Sequence, residues 1–280
     1  MLKILIMIGG VVLVAGIAVV VGVRYLERKM IYFPIPFPEG YWDTSDFPGQ
    51  LEECTFQTDD GLTLHGWLAR TPARGTEQPP TLLFLHGNAG NLTHRRSNVA
   101  ALLEFGVDVF IFDYRGYGKS EGTPDEQGLY ADALAAYEYL LSHDDVDPQR
   151  LVVFGRSLGG AVAVELAMRR PCAKLIVEST FTSIKDMTQE MFGGLPIHYL
   201  VRTKFDSLSK IGQVDVPLLV IHGSRDTIVP VEHGRRLFAA ANQPKWWYEI
   251  AGADHNDTYE VGGRTYFERV SEFIHQGGDS

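Results

Sequence analysis

Ser157 in GRSLGG, Asp226 in HGSRD and His255 in GADHND are the side chains of this chain best suited to nucleophilic chemistry. A serine hydroxyl attacks poorly at neutral pH unless a histidine takes its proton and a carboxylate orients that histidine. Gly155 and Gly159 flank Ser157 two residues away on either side, which allows a sharp turn with the hydroxyl exposed. Ser157 is therefore the candidate nucleophile, Asp226 the acid and His255 the base. Each has rivals. A serine that caps an ordinary helix is the bland alternative to Ser157. Glu178 also precedes His255 and could supply the carboxylate; Asp254 and Asp257 lie beside the histidine, and Asp254 adjoins it too closely for an easy approach to the ring. His86 and His222 stand in HG dipeptides at turns, where a structural hydrogen bond is the expected job.

A tetrahedral intermediate on such a serine needs backbone donors aimed at its oxyanion. The Leu158 N–H, opening the following helix, is one. The second is expected from HGNAGN, residues 86–91, with the Asn88 N–H as the best single choice. Gly87 and Gly90 permit that close approach, although a plain turn would use the same glycines.

Elements with the right periodicity surround these residues. Two strand-like runs near 53–58 and 62–69 flank Asp59-Asp60-Gly61, a hairpin turn. Short apolar strands at 81–85, 107–112, 151–154, 174–177, 217–221 and 246–250 then alternate with helical patterns at 98–105, 126–141, 160–169, 231–241 and 264–275. Such alternation predicts an α/β fold: a mostly parallel, doubly wound sheet with helices on both faces. Ligands bind beyond the carboxyl ends of such strands, where Ser157, Asp226 and His255 all fall. The order serine, acid, histidine is that of the α/β-hydrolases and differs from the chymotrypsin and subtilisin orders.

HGNAGN, FDYRGYGKSEG, GRSLGG, HGSRD and GADHND, in this order and spacing, resemble the α/β-hydrolase superfamily, and within it the membrane-anchored ABHD-type serine hydrolases with one amino-terminal anchor. The resemblance covers about residues 30–275. It implies the same roles for Ser157, Asp226 and His255, and hydrolysis of an ester, thioester or amide. Some members of that family remove fatty acyl groups from protein cysteines; others are esterases, lipases or exopeptidases. FDYRGYGKSEG carries no derivable catalytic role, and its Asp113 and Arg115 are expected to fix a loop.

Composition narrows the setting. The 280 residues are 45% hydrophobic with a net charge of −10, enough for a substantial core and unfavourable to nucleic acid. Cys54 and Cys172 have no metal or redox spacing and read as small buried residues; no metal or cofactor is expected. Ile4 to Val23 holds no charged side chain and matches the length of a single membrane span, so residues 1–29 are expected to anchor the chain. A cleaved signal peptide is the alternative. Lys3 opposes Arg24, Arg28 and Lys29 across that run, which leans the main domain toward the cytoplasm. Residues 30–50, rich in proline and aromatics, are expected to lie against a catalytic domain spanning 51–280. Residues 180–213 are either a small cap or a plain connecting helix. Phe181, Ile184, Met187, Met191, Phe192, Leu195 and Ile197 would line a cap suited to an acyl chain. The expected partners are the membrane and an acyl ester or thioester, from a lipid or a lipidated protein. Two other functions stay open: an exopeptidase or amidase on the same triad, and a membrane scaffold without catalysis. Oligomeric state is not readable.

Overall fold

Chain order lays out a wound sheet. The computed structural model describes residues 2–73, 78–193, 199 and 201–276. A 30-residue helix, α1 (Leu2–Ile31), and a two-residue strand, β1 (Phe33–Pro34), precede the hairpin of β2 (Gln50–Gln57) and β3 (Thr63–Arg70). Gly61 takes φ 82° in the turn, where the Thr58 N–H donates to Leu62 O at 3.0 Å. Then follow β4 (Thr81–Leu85), β5 (Ala89–Gly90), α2 (Arg96–Glu104), β6 (Asp108–Phe112), α3 (Glu126–Leu141), β7 (Leu151–Arg156), α4 (Leu158–Arg169), β8 (Lys174–Glu178) and α5 (Ile184–Met191). The series closes with β9 (Leu218–Gly223), α6 (Val231–Ala240), β10 (Lys245–Ile250) and α7 (Thr258–His275).

Eight strands form one sheet in the order β10-β9-β8-β7-β4-β6-β3-β2. Only β3 runs against the others, antiparallel to both β2 and β6. Alternation along each strand splits the core into two layers. On β7, Leu151 and Val153 face the cluster built with α3 and α4, while Val152 and Phe154 face the cluster built with α2 and α7. Phe84 stacks on Phe154 with ring centroids 4.8 Å apart in that second layer.

The last helix differs from the sequence expectation. It begins at Thr258 rather than 264, and Gly263, at φ 53° and ψ −144°, breaks it where the periodic pattern starts. A glycine there lets one turn precede the amphipathic stretch. Cys54 and Cys172 are buried and unbridged, and burial pushes their thiols up to about 11 and about 12.

The proline-rich segment is held chiefly through its backbone. Tyr32 and Phe47 are buried, but Phe33, Phe37 and Tyr41 are exposed. β1 pairs with β5 in parallel, and the Asn91 amide donates to Ile35 O and Glu39 O at 3.0 and 2.9 Å. This ties the segment to the loop that carries Asn88. Within 180–213, α5 is the α-helix among the described residues; its flanks are joined by Ile184 N–H to Lys204 O at 2.8 Å and Leu208 N–H to Thr182 O at 3.0 Å. Leu195 and Ile197 lie outside the described residues. Among the described residues no helix is long and apolar enough to cross a membrane; the side chains of residues 4–6, 8, 11, 12 and 19 in the apolar run fall outside the description.

Candidate active site

β7 ends at Arg156 and α4 starts at Leu158, so Ser157 alone makes the turn, at φ 53° and ψ −119°. That conformation costs a non-glycine residue about 1–3 kcal/mol and persists only where the surroundings impose it. Here the Ser157 N–H donates to Glu178 O at 2.8 Å, and Ser157 O accepts from Gly160 N–H at 2.9 Å and the Thr180 hydroxyl at 2.7 Å. A Cβ at Gly159 would run into the Leu85 and His86 carbonyls, and one at Gly155 would strike the Gly159 backbone. Gly159→Ala should therefore lower the melting temperature by about 5 °C or more, since overpacking against backbone has no cheap relief. A melting curve equal to wild type would contradict this packing.

The partners arrive from neighbouring strands. Asp226 follows β9 and His255 follows β10, and both side chains are buried. His255 Nδ1 stands 2.8 Å from Asp226 Oδ2, and His255 Nε2 stands 3.0 Å from Ser157 Oγ. An ionised carboxylate only accepts, so Nδ1 carries the proton and Nε2 is left to accept from the serine. The other Asp226 oxygen takes the Ile228 and Val229 N–H groups at 3.0 and 2.7 Å. Burial pushes this carboxyl up, but hydrogen bonds from His222 and His255 and the Val229 amide together outweigh burial and hold it well below the usual carboxylate range. It stays ionised at neutral pH.

The rivals are engaged elsewhere. Glu178 is fully buried, accepting from the Thr258 and Tyr266 hydroxyls and pairing with Arg156 Nε at 3.2 Å. Arg156 Nη2 in turn donates to His255 O at 2.8 Å, so Glu178 supports the histidine's backbone rather than its ring. Asp254 accepts from the Thr227 and His255 N–H groups, both at 2.7 Å, and Asp257 takes the Asp254 N–H. His86 is neutral, pushed down to about 3 by burial first and Arg95 second, with Nδ1 on Gly87 O at 2.7 Å. His222 does more than its dipeptide suggested. Its Nε2 lies 2.8 Å from Val229 O and 3.3 Å from Asp226 Oδ2, close enough to steady the carboxylate. The four-residue spacing of His222 and Asp226 within HGSRD was the signal for that pairing.

Leu158 and Asn88 line the same cavity as Ser157 and His255. Leu158 is the first residue of α4, where an N–H has no helical acceptor. The Asn88 loop is fixed by Phe33 N–H and the Tyr117 hydroxyl, which donate to Asn88 O at 2.9 and 2.8 Å, and a Cβ on Gly87 would sit 3.5 Å from Ser157 Cβ. The cavity measures about 670 Å³. Met30, Ile31 and Phe33 come to its wall from the amino-terminal segment, and Ile184, Met187 and Met191 from α5. The contribution of α1 carries no motif in the sequence and was not expected.

A family model described as the alpha/beta hydrolase fold matches residues 80–196. The chain is 35% identical to Alpha/beta hydrolase domain-containing protein WAV2 of Arabidopsis thaliana, over 95% of this chain and 92% of that one. The chain belongs to the α/β-hydrolase family. Other relatives include Uncharacterized protein Rv2307c of Mycobacterium tuberculosis, 40% identical over 89% of this chain and 87% of its own length, and Protein bem46 of Schizosaccharomyces pombe, 34% identical over 95% and 91%. Among solved structures, the Pyrococcus furiosus esterase Pf2001 superimposes with a TM-score of 0.71 at 23% identity, covering 87% of this chain and 98% of that one. That likeness speaks to the shared fold.

Proposed function

We propose that the chain is a membrane-anchored serine hydrolase that cleaves carboxylic esters or thioesters through an acyl-enzyme on Ser157. The line from Asp226 through His255 to Ser157 Oγ, at 2.8 and 3.0 Å, carries this reading. His255 removes the hydroxyl proton as Ser157 attacks the acyl carbonyl; the Asn88 and Leu158 N–H groups receive the oxyanion. Collapse expels the leaving group, which His255 protonates, and water then releases the acid by the same route. A fluorophosphonate probe should label the folded wild type at Ser157; failure to label would favour a non-catalytic scaffold.

The apolar wall supports an acyl substrate. Met187→Trp should cut the ratio of kcat/KM for a long-chain over a short-chain nitrophenyl ester by about tenfold, as lost pocket volume penalises extra methylenes. An unchanged ratio, or a preference for aminoacyl anilides over esters, would overturn the acyl reading. The charge-free run Ile4 to Val23, about 30 Å as a helix, supports the anchor, as do the exposed Met7, Leu13, Val14, Ile17, Val20 and Val21 of α1. Full-length protein should stay with membranes through alkaline carbonate extraction; its release would remove the anchor from the proposal.

A further inference from the structure

Arg95 ends the short helical turn Leu92–Arg95 directly before α2, and it lines the cavity beside Ser157 and Arg156. Its Nη2 donates to Ala89 O at 2.9 Å, and its Nε is buried without a partner. Among the described residues no ion pair meets it. Arg156, by contrast, is matched by Glu178 at 3.2 Å. The cavity's own carboxylate, Glu27, accepts the Arg202 and Thr203 N–H groups at 3.1 and 2.7 Å. Burial, with Arg156 second, pushes the Arg95 guanidinium down to about 10, which leaves it charged at neutral pH and in want of an anion.

The cations and the apolar wall lie on different sides of the sheet. Arg156 shares its strand face with Val152 and Phe154, toward α2 and α7, and Arg95 leads into α2. Ile31, Ile184 and Met187 pack instead on the layer of α3 and α4. His255 must protonate the leaving group, and its loop belongs to the cationic side: Arg156 holds its carbonyl and Asn256, the next residue, lines the cavity. We propose that the substrate carries an oxyanion, carboxylate or phosphate, on its leaving group, bound by Arg95, with the acyl chain along the apolar wall. This rests on the serine-hydrolase reading above and names its substrate class. Guanidinium suits the job because its fork matches both oxyanions.

The test compares an octanoyl ester of a hydroxy-nitrobenzoate with the same compound as its methyl ester, and with a version bearing phosphate in place of the carboxylate. Full-length wild type should prefer an anionic leaving group in kcat/KM by at least tenfold after correction for alkaline hydrolysis, and the two anions show which oxyanion fits. Arg95→Gln should collapse that ratio and Arg95→Lys restore part of it. Arg264→Gln, an exposed cation paired with Glu268 outside the cavity, should leave the ratio alone. The fluorophosphonate labelling rate of each variant reports whether Ser157 is still presented. A wild type that labels and hydrolyses but prefers the methyl ester overturns the oxyanion subsite while leaving the triad standing, without recourse to any variant. A ratio that survives Arg95→Gln in a labelling-competent protein does the same. A wild type that neither labels nor hydrolyses any of these esters overturns both readings.

Discussion

Ser157→Ala is expected to lower ester hydrolysis by about 10³-fold or more and to abolish fluorophosphonate labelling. The residual rate comes from binding and from the oxyanion donors, which the substitution leaves in place. Stability should move little. Alanine keeps the Cβ at φ 53°, so the backbone cost is unchanged, and the Glu178, Gly160 and Thr180 bonds to residue 157 are all made by its main chain. A melting temperature within about 4 °C of wild type would separate lost chemistry from lost fold. Near-normal hydrolysis by this variant would remove the nucleophile from the mechanism.

Asp226→Asn should cost about 10⁴-fold in kcat, because an amide presenting N–H to His255 Nδ1 favours the tautomer that turns a proton, rather than a lone pair, toward Ser157. Glu178→Gln should act differently. It leaves the buried Arg156 without its counter-charge, so stability is expected to fall by about 3 kcal/mol while the protein that remains folded keeps its triad. The Asp226 variant also has a pH signature in its stability. Asp226 has a lowered pKa in the folded chain, so its ionised form contributes stability above the unfolded carboxylate value, near 3.9, and loses it as pH falls below that. Denaturant midpoints of wild type and Asp226→Asn should thus converge on acidification below about pH 4. Full activity in Asp226→Asn with loss in Glu178→Gln would transfer the acid to Glu178.

The alternation of strands and helices, the hairpin at Asp59-Asp60-Gly61 and the elbow at Ser157 were all legible in the sequence. Each depends on short-range physics: side-chain period, turn chemistry and the space a glycine leaves. Strand order was not legible in the same way, since the place of β4 between β6 and β7 follows from crossovers that local patterns do not encode. The start of α7 at Thr258 was missed because Gly263 interrupts the helical pattern on which the expectation relied.

For the site, the chain order of Ser157, Asp226 and His255 restricted the chemistry before any coordinate was known. Only the packed structure set the Asp226 carboxylate, rather than that of Glu178, against the His255 ring, for Glu178 ends β8, Asp226 follows the adjacent parallel β9, and a ring nitrogen can face just one of them. It alone brought the end of α1 and Arg95 to the cavity of Ser157. Residues so far apart along the chain meet through the register of the sheet and the packing of helices on it. That distance arises from the whole core at once, and no window of sequence contains it.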